Sequence, residues 1–278
     1  MTLTYSWLPA GQTRADRWLR ALAITFIAAM GFSIGGSLLL RLIPSSMALF
    51  GPYYPTLVKF PTWTYMAILP LIALFLYGPS LGWKTAFVAF LVGSGIGGAS
   101  ELIGTTTGVP FGPYAYTFWL GPKILEHVPY FIPPSWFAMS IVSYELAGRV
   151  TPHTLTRAPL AATFMVLWDV SLDPAMSRAF PFWTYPEGGF FYGMPLSNWA
   201  GWFVVSLAIM GVYSLLFKDK RLFHAWSPVF YLLNCAFPLT ISLLYGLYGA
   251  VAAGLIATAV PLFLCRTDRK PSPVALTS

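Results

Sequence analysis

The chain has 278 residues, 57% of them hydrophobic and only 9% charged, too little polar surface to cover a water-soluble globule. Its apolar runs are long and continuous, as in Trp18 to Ile43 and Trp226 to Leu264, which excludes the short alternating strands of an outer-membrane barrel. The formal charge of +7 gathers at the ends of those runs, so it reports membrane orientation and implies no nucleic-acid partner.

In chain order, about eight membrane helices are predicted, near residues 18–43, 62–77, 82–102, 135–149, 154–173, 198–217, 227–245 and 248–265. The first run follows Arg14 and Arg17 and continues through Leu38 to Leu42. It is long enough to span a bilayer and reads as a retained helix, not a cleaved signal peptide. With the amino terminus inside, the cytoplasmic segments carry Arg14, Arg17, Arg20, Lys84, Arg149, Arg157, Lys218, Lys220, Arg221, Arg266, Arg269 and Lys270. The opposite side holds Arg41, Lys59, Lys123 and Arg178. This asymmetry follows the positive-inside rule and supports an even number of spans. The expected fold is an all-α polytopic membrane helix bundle with both termini cytoplasmic: residues 1–17 and 266–278 flank a single transmembrane catalytic domain at 18–265.

Two connections interrupt this pattern, Leu102 to Pro134 and Pro174 to Ser197, both predicted on the outer side and both dense in Gly, Pro and aromatic residues. Gly and Pro break helices, while the rings require burial or an interface. An aromatic belt at the lipid headgroups accounts for part of this composition. The alternative is a pair of re-entrant or capping loops closing a pocket, since irregular backbone at membrane depth needs protein or a cavity to satisfy it.

The acids point to a pocket. Gly93, Gly97 and Glu101 share one helix face at i, i+4 spacing, a surface suited to close helix contact that turns the carboxyl away from lipid. Asp169 and Asp173 are likewise four residues apart, so their carboxyls face the same way and two such acids share a proton more cheaply than both ionise. Glu187 reads as a surface turn residue. Asn198 is a substrate-binding candidate or, equally, a helix cap, and Asn234 reads as structural beside Pro238. Cys235 and Cys265 lack metal spacing, as do His127, His153 and His224, so no metal site is expected.

Three stretches carry a resemblance: ELIGTTTGVPFGPYAYT from Glu101 to Thr117, WDVSLDPAM from Trp168 to Met176, and FYGMPLSNWAGW from Phe191 to Trp202. In this order the chain resembles the integral-membrane carotenoid hydratases that act on acyclic end groups, including bisanhydrobacterioruberin hydratase and the carotenoid 1',2'-hydratases. The likeness covers roughly Glu101 to Trp202 and departs after Met176, where SRAFPFWTYPEGG is more aromatic. It implies a hydro-lyase of carotenoid biosynthesis that adds water to the terminal C=C of an acyclic (psi) end group and needs no cofactor. The implied partners are an acyclic carotenoid, water, the lipid bilayer and other membrane enzymes of the carotenoid pathway. The expected location is a bacterial inner membrane, and the positive-inside count puts the active site toward the non-cytoplasmic side.

Such chemistry asks for an acid, a tertiary cation and water capture. The Asp169/Asp173 pair is the expected proton donor and Glu101 the group that orients or deprotonates water. Tyr114, Tyr116, Trp136, Trp168, Trp183 and Tyr185 are the candidate lining, because aromatic faces bind a polyene and stabilise a desolvated cation. Two other classes remain open from the residues alone. One is an Mg-dependent membrane prenyltransferase, for which the paired aspartates form a partial motif but basic residues are scarce. The other is a carotenoid- or lipid-binding or transport protein.

Overall fold

The computed structural model describes residues 6–186, 188–218, 220 and 222–265. Glu187, Arg221, Arg266, Arg269, Lys270 and the expected tail 266–278 lie outside the described residues. The described chain forms α1 (Arg14–Leu42), a single-turn α2 (Met47–Phe50), α3 (Tyr54–Leu81), α4 (Trp83–Thr107), α5 (Ile132–Val150), α6 (Thr154–Pro174), α7 (Leu196–Leu216), α8 (Ser227–Leu244) and α9 (Tyr248–Leu264). Eight of these are the long helices expected, with shifted boundaries. Arg14–Leu42, Pro44–Leu81, Trp83–Thr107, Leu196–Leu216 and Ser227–Leu244 are long and apolar enough to cross a membrane.

The expected spans at 135–149, 154–173 and 248–265 form α5, α6 and α9 but do not meet that criterion. α5 is the enclosed helix, buried at Ile132 and from Ser135 through Ala147. Its serines and its Glu145 and Arg149 face protein, so it needs no uniformly apolar surface. α6 carries Asp169 and Asp173 inward for the same reason, and α9 is only 17 residues long.

Local chemistry sets several helix ends. A capping box closes the start of α1: Thr13 Oγ1 accepts from Asp16 N–H at 3.1 Å and Asp16 Oδ2 accepts from Thr13 N–H at 2.9 Å, satisfying two otherwise orphaned donors. The stretch 44–61 is not a plain loop. It forms 3-10 turns around α2 and then enters α3, with proline in the first turn, where the missing N–H costs nothing. Gly82, at φ 82°, makes the whole connection between α3 and α4, a left-handed conformation open to glycine.

The helix face marked by Gly93 and Gly97 packs on α5. A Cβ on Gly93 would lie 2.8 Å from Phe137 Cα, and one on Gly97 would overlap the Trp136 side chain. Two small sheets add to the all-α expectation: in the 115/183 ladder β1 (Ala115–Tyr116) pairs antiparallel with β4 (Trp183–Thr184), and elsewhere β2 (Lys123–Ile124) pairs antiparallel with β3 (Val128–Pro129). The 115/183 ladder ties the two unusual connections to each other, and Thr117 N–H extends it by donating to Phe182 O at 2.9 Å. Both connections are shorter than the sequence suggests, because α4 continues to Thr107 and α6 runs into a π-helical turn at Ala175–Ala179.

At the other end of the bundle, Arg149 pairs with Glu145 at 2.7 Å and its Nη2 donates to His224 O at 2.8 Å. Lys220 Nζ there donates to Leu81 O and Thr85 Oγ1. Burial lowers the pKa of His224 below the usual histidine value.

The α4–α5 contact gives a direct test. Gly97→Ala should lower thermal stability in detergent by about 1–3 kcal/mol through overpacking. Gly95→Ala, where an added Cβ meets nothing within 4 Å, should leave stability unchanged or raise it. Equal melting temperatures for Gly97→Ala and wild type would contradict the close-packed face.

Candidate active site

The paired connections close over one end of the bundle and cover a cavity of about 80 Å³. Glu101, from the last turns of α4, is 3% exposed and accepts three hydrogen bonds. Tyr114 Oη and Tyr116 Oη donate to its Oε2, the latter at 2.8 Å, and Trp136 Nε1 donates to its Oε1 at 3.0 Å. Two of these donors come from the first connection and the third from the start of α5. Burial, followed by the adjacent Glu101 carboxyl, pushes both phenols above the usual tyrosine range, so they remain donors across ordinary pH.

Asp169 and Asp173 lie one turn apart on α6, each 1% exposed. Asp173 Oδ1 accepts from Trp183 Nε1 at 2.7 Å and from Tyr185 Oη at 2.6 Å, both from the second connection. Its Oδ2 takes a longer 3.4 Å contact from Ser177 Oγ. Arg178 does not hold Asp173 by an ion pair: its Nε donates to Tyr192 O. Among the described residues the one salt bridge is Arg149–Glu145. Asp169 differs from both other acids, since its Oδ2 is buried without a hydrogen-bond partner.

Asn198 Nδ2 donates to Tyr185 Oη at 2.9 Å, while its Oδ1 is buried and unpartnered. The capping account of Asn198 is therefore wrong. Pro195 is the residue before α7, without a side-chain cap, and Asn198 sits inside the helix facing the core. The Tyr185 phenol thus accepts from Asn198 and donates to Asp173, and burial together with the Asp173 charge raises it above the usual tyrosine value.

Aromatic rings fill the remaining wall. Trp136 stacks on Trp202 at 4.2 Å between centroids, and Trp202 meets Trp168 edge-on at 5.8 Å. Tyr114 and Tyr116 pack at 5.6 Å, and Tyr116 meets Trp183 at 6.0 Å. Trp168 is fixed by donation from its Nε1 to Asn234 O at 3.1 Å. The cavity is thus lined by Glu101, Asp169, Asp173, Tyr114, Tyr116, Trp136, Trp168, Trp183, Tyr185 and Asn198 together. The sequence reading does not single out Trp202, Tyr65, Phe182 or Asn234 as lining, though all four share the cavity. Trp202 had a usable signal, its i+4 spacing from Asn198 on α7. Among the described residues no three His, Cys, Asp or Glu side chains converge to hold a metal ion.

Residues 62–261 match the model of the carotenoid biosynthesis protein family. The chain belongs to that family. The matched segment includes every acid and ring of the cavity. Among curated relatives of this carotenoid biosynthesis protein, the chain is 37% identical over 106 residues to a bisanhydrobacterioruberin hydratase of Haloarcula japonica. That match takes in 37% of this chain and 36% of the relative, so the chain spans about a third of the relative's length. No solved structure matches the chain.

The donor set makes a measurable claim. Tyr116→Phe and Tyr185→Phe should each cost about 1–3 kcal/mol by leaving buried polar groups short of a partner. Tyr116→Phe combined with Glu101→Gln should be non-additive by about 0.5–3 kcal/mol in a double-mutant cycle read by unfolding in detergent. Full additivity would show that the phenol does not serve the carboxyl.

Proposed function

We propose that this carotenoid biosynthesis protein is a hydratase of acyclic carotenoid end groups, with the cavity beneath the paired connections as its active centre. The observation that carries the reading is an aromatic cavity holding three carboxyls in unequal hydrogen-bonding states. Glu101 and Asp173 are held by donors from the connections, whereas Asp169 Oδ2 has none. Family membership and the hydratase name of the matched relative support the substrate class and the reaction type.

The proposed reaction uses those differences. Asp169 carries the proton, because a proton on Oδ2 has no competing acceptor among the described residues. It passes to the CH carbon of the terminal double bond, forming a C–H bond while the π pair breaks and leaves a tertiary cation on the dimethyl carbon. The faces of Trp136, Trp168 and Trp202 stabilise that cation, each by about 2 kcal/mol or more when water is excluded. Water then forms the C–O bond. Glu101 has four acceptor positions and three are occupied, so one on Oε1 remains to orient the water. The proton lost by the water returns to the aspartate pair, with Asp173 held in place by Trp183 and Tyr185. Proton in and proton out balance, and the net change is one water added.

By the positive-inside count, the end carrying Arg149, Arg157 and Lys220 is cytoplasmic and the cavity lies toward the other side. Lys123 Nζ donates to Tyr116 O, and Arg178 to Tyr192 O. These two of the four outer-side cations therefore brace the connections, and the prenyltransferase reading gains no diphosphate-facing cation from them.

Purified protein supplied with an acyclic carotenoid should yield a product heavier by one water. Asp169→Asn and Asp173→Asn should each fold and lose about 10²–10⁴-fold in turnover, the usual contribution of a positioned acid. Full activity in both variants would defeat the proton assignment. No hydrated product from wild type with any acyclic end group would defeat the hydratase reading.

A further inference from the structure

The acid cavity is too small for a long polyene, and a second hollow adjoins it. A groove of about 400 Å³ lies between α1, α3 and α8, within the ~300–1,000 Å³ typical of small-molecule sites. Tyr65, Met176, Phe182 and Phe237 line both the groove and the acid cavity, so those four side chains form a shared neck. From the neck, which lies beside Met30 of the acid cavity, the groove follows α1 from Phe32 to Leu40. Eight residue steps at ~1.5 Å give a run of about 12 Å. Phe32 is 54% exposed and Leu39 is 37% exposed, which places the mouth on the lipid-facing surface of the bundle. Its α1 wall includes Gly35 and Gly36, and a Cβ at either would meet nothing within 4 Å. The space there is open, unlike the glycine face of α4, where an added Cβ collides with α5.

We propose that this groove holds the polyene segment next to the reacting end group of an acyclic isoprenoid. The chain enters sideways from the bilayer, and the neck passes the end group to the acids. The proposal rests on the reading of the acid cavity as a hydratase centre. Three features favour this occupant over a stray acyl chain: the groove is continuous with the carboxyls, its walls are almost wholly apolar or aromatic, and its length suits part of a chain whose remainder stays in lipid. A polyene comparable with the ~30 Å hydrocarbon core would leave roughly half its length outside. Molecules sharing the end group but differing in the distal half are therefore expected to be accepted alike.

The test fills the groove without touching the acids. In the full-length protein, Gly35→Phe and Gly36→Phe place a ring in the open space, and Leu57→Trp narrows the opposite wall. Gly31→Phe is the control, because Gly31 has the same open surroundings on the same helix but lies outside the groove. Binding of a long acyclic polyene is read from the shift of its visible absorption band, and turnover is read separately with that polyene and with a short acyclic isoprenoid alkene carrying the same end. Groove variants should weaken polyene binding about tenfold or more and raise its KM to match. They should leave short-alkene turnover within about twofold, since its end group reaches the acids without the groove. Gly31→Phe should behave as wild type. If wild type binds the polyene and groove variants abolish the band shift but nothing is hydrated, the groove stands and the hydratase reading falls. If wild type hydrates the polyene and all groove variants bind it normally, the groove proposal is overturned and the hydratase reading survives. Equal weakening in Gly31→Phe, or no polyene binding by wild type, also overturns it.

Discussion

Burying carboxyls inside an apolar bundle without a matching cation is the constraint on which this architecture depends. A carboxyl in such a place needs hydrogen-bond donors, and the helices alone supply few, because their backbone N–H groups are already used. Here the donors come mostly from the two irregular connections: Tyr114 and Tyr116 reach Glu101, and Trp183 and Tyr185 reach Asp173. Each connection is thereby pulled inward, and the 115/183 ladder locks one to the other. What reads in the sequence as loop is a lid folded onto the acids. Its many rings shield the same carboxyls that its polar tips satisfy.

Glycine has two opposite uses in this frame. On α4, Gly93 and Gly97 remove bulk so that α5 can approach, which brings Trp136 within reach of Glu101. On α1, Gly35 and Gly36 remove bulk where nothing approaches. The first pattern builds the wall of a cavity and the second leaves a passage beside it. The two hollows, joined at Tyr65, Met176, Phe182 and Phe237, suit a substrate whose reactive end is chemically handled and whose long apolar remainder is merely accommodated.

The long helices were legible because continuous apolar runs have one economical solution in lipid, and the acids stood out because charge is scarce there. The face of Gly93, Gly97 and Glu101 followed from helical periodicity alone. Other features depend on tertiary pairing that a single chain does not display. The ring of Tyr185 could rest at a headgroup or on Asp173, and composition does not separate those fates. Trp202 was hidden among several tryptophans, although its spacing from Asn198 marked the face. The ion pair of Glu145 with Arg149 escaped because α5 reads as an ordinary span, and only its enclosure makes a buried salt bridge the natural outcome. Asn198 at the apparent start of a run resembled a cap, but α7 begins earlier, at Leu196, and turns that side chain inward.

In the proposed reaction, hydroxylation begins with a proton delivered to carbon and ends with capture of water. Running the reaction in D₂O and, separately, in ¹⁸O-labelled water measures both events in the same product. The expected product carries one non-exchangeable deuterium on the carbon beside the new hydroxyl and oxygen drawn from water. A product without that C–D bond, or with oxygen drawn from O₂, would contradict it.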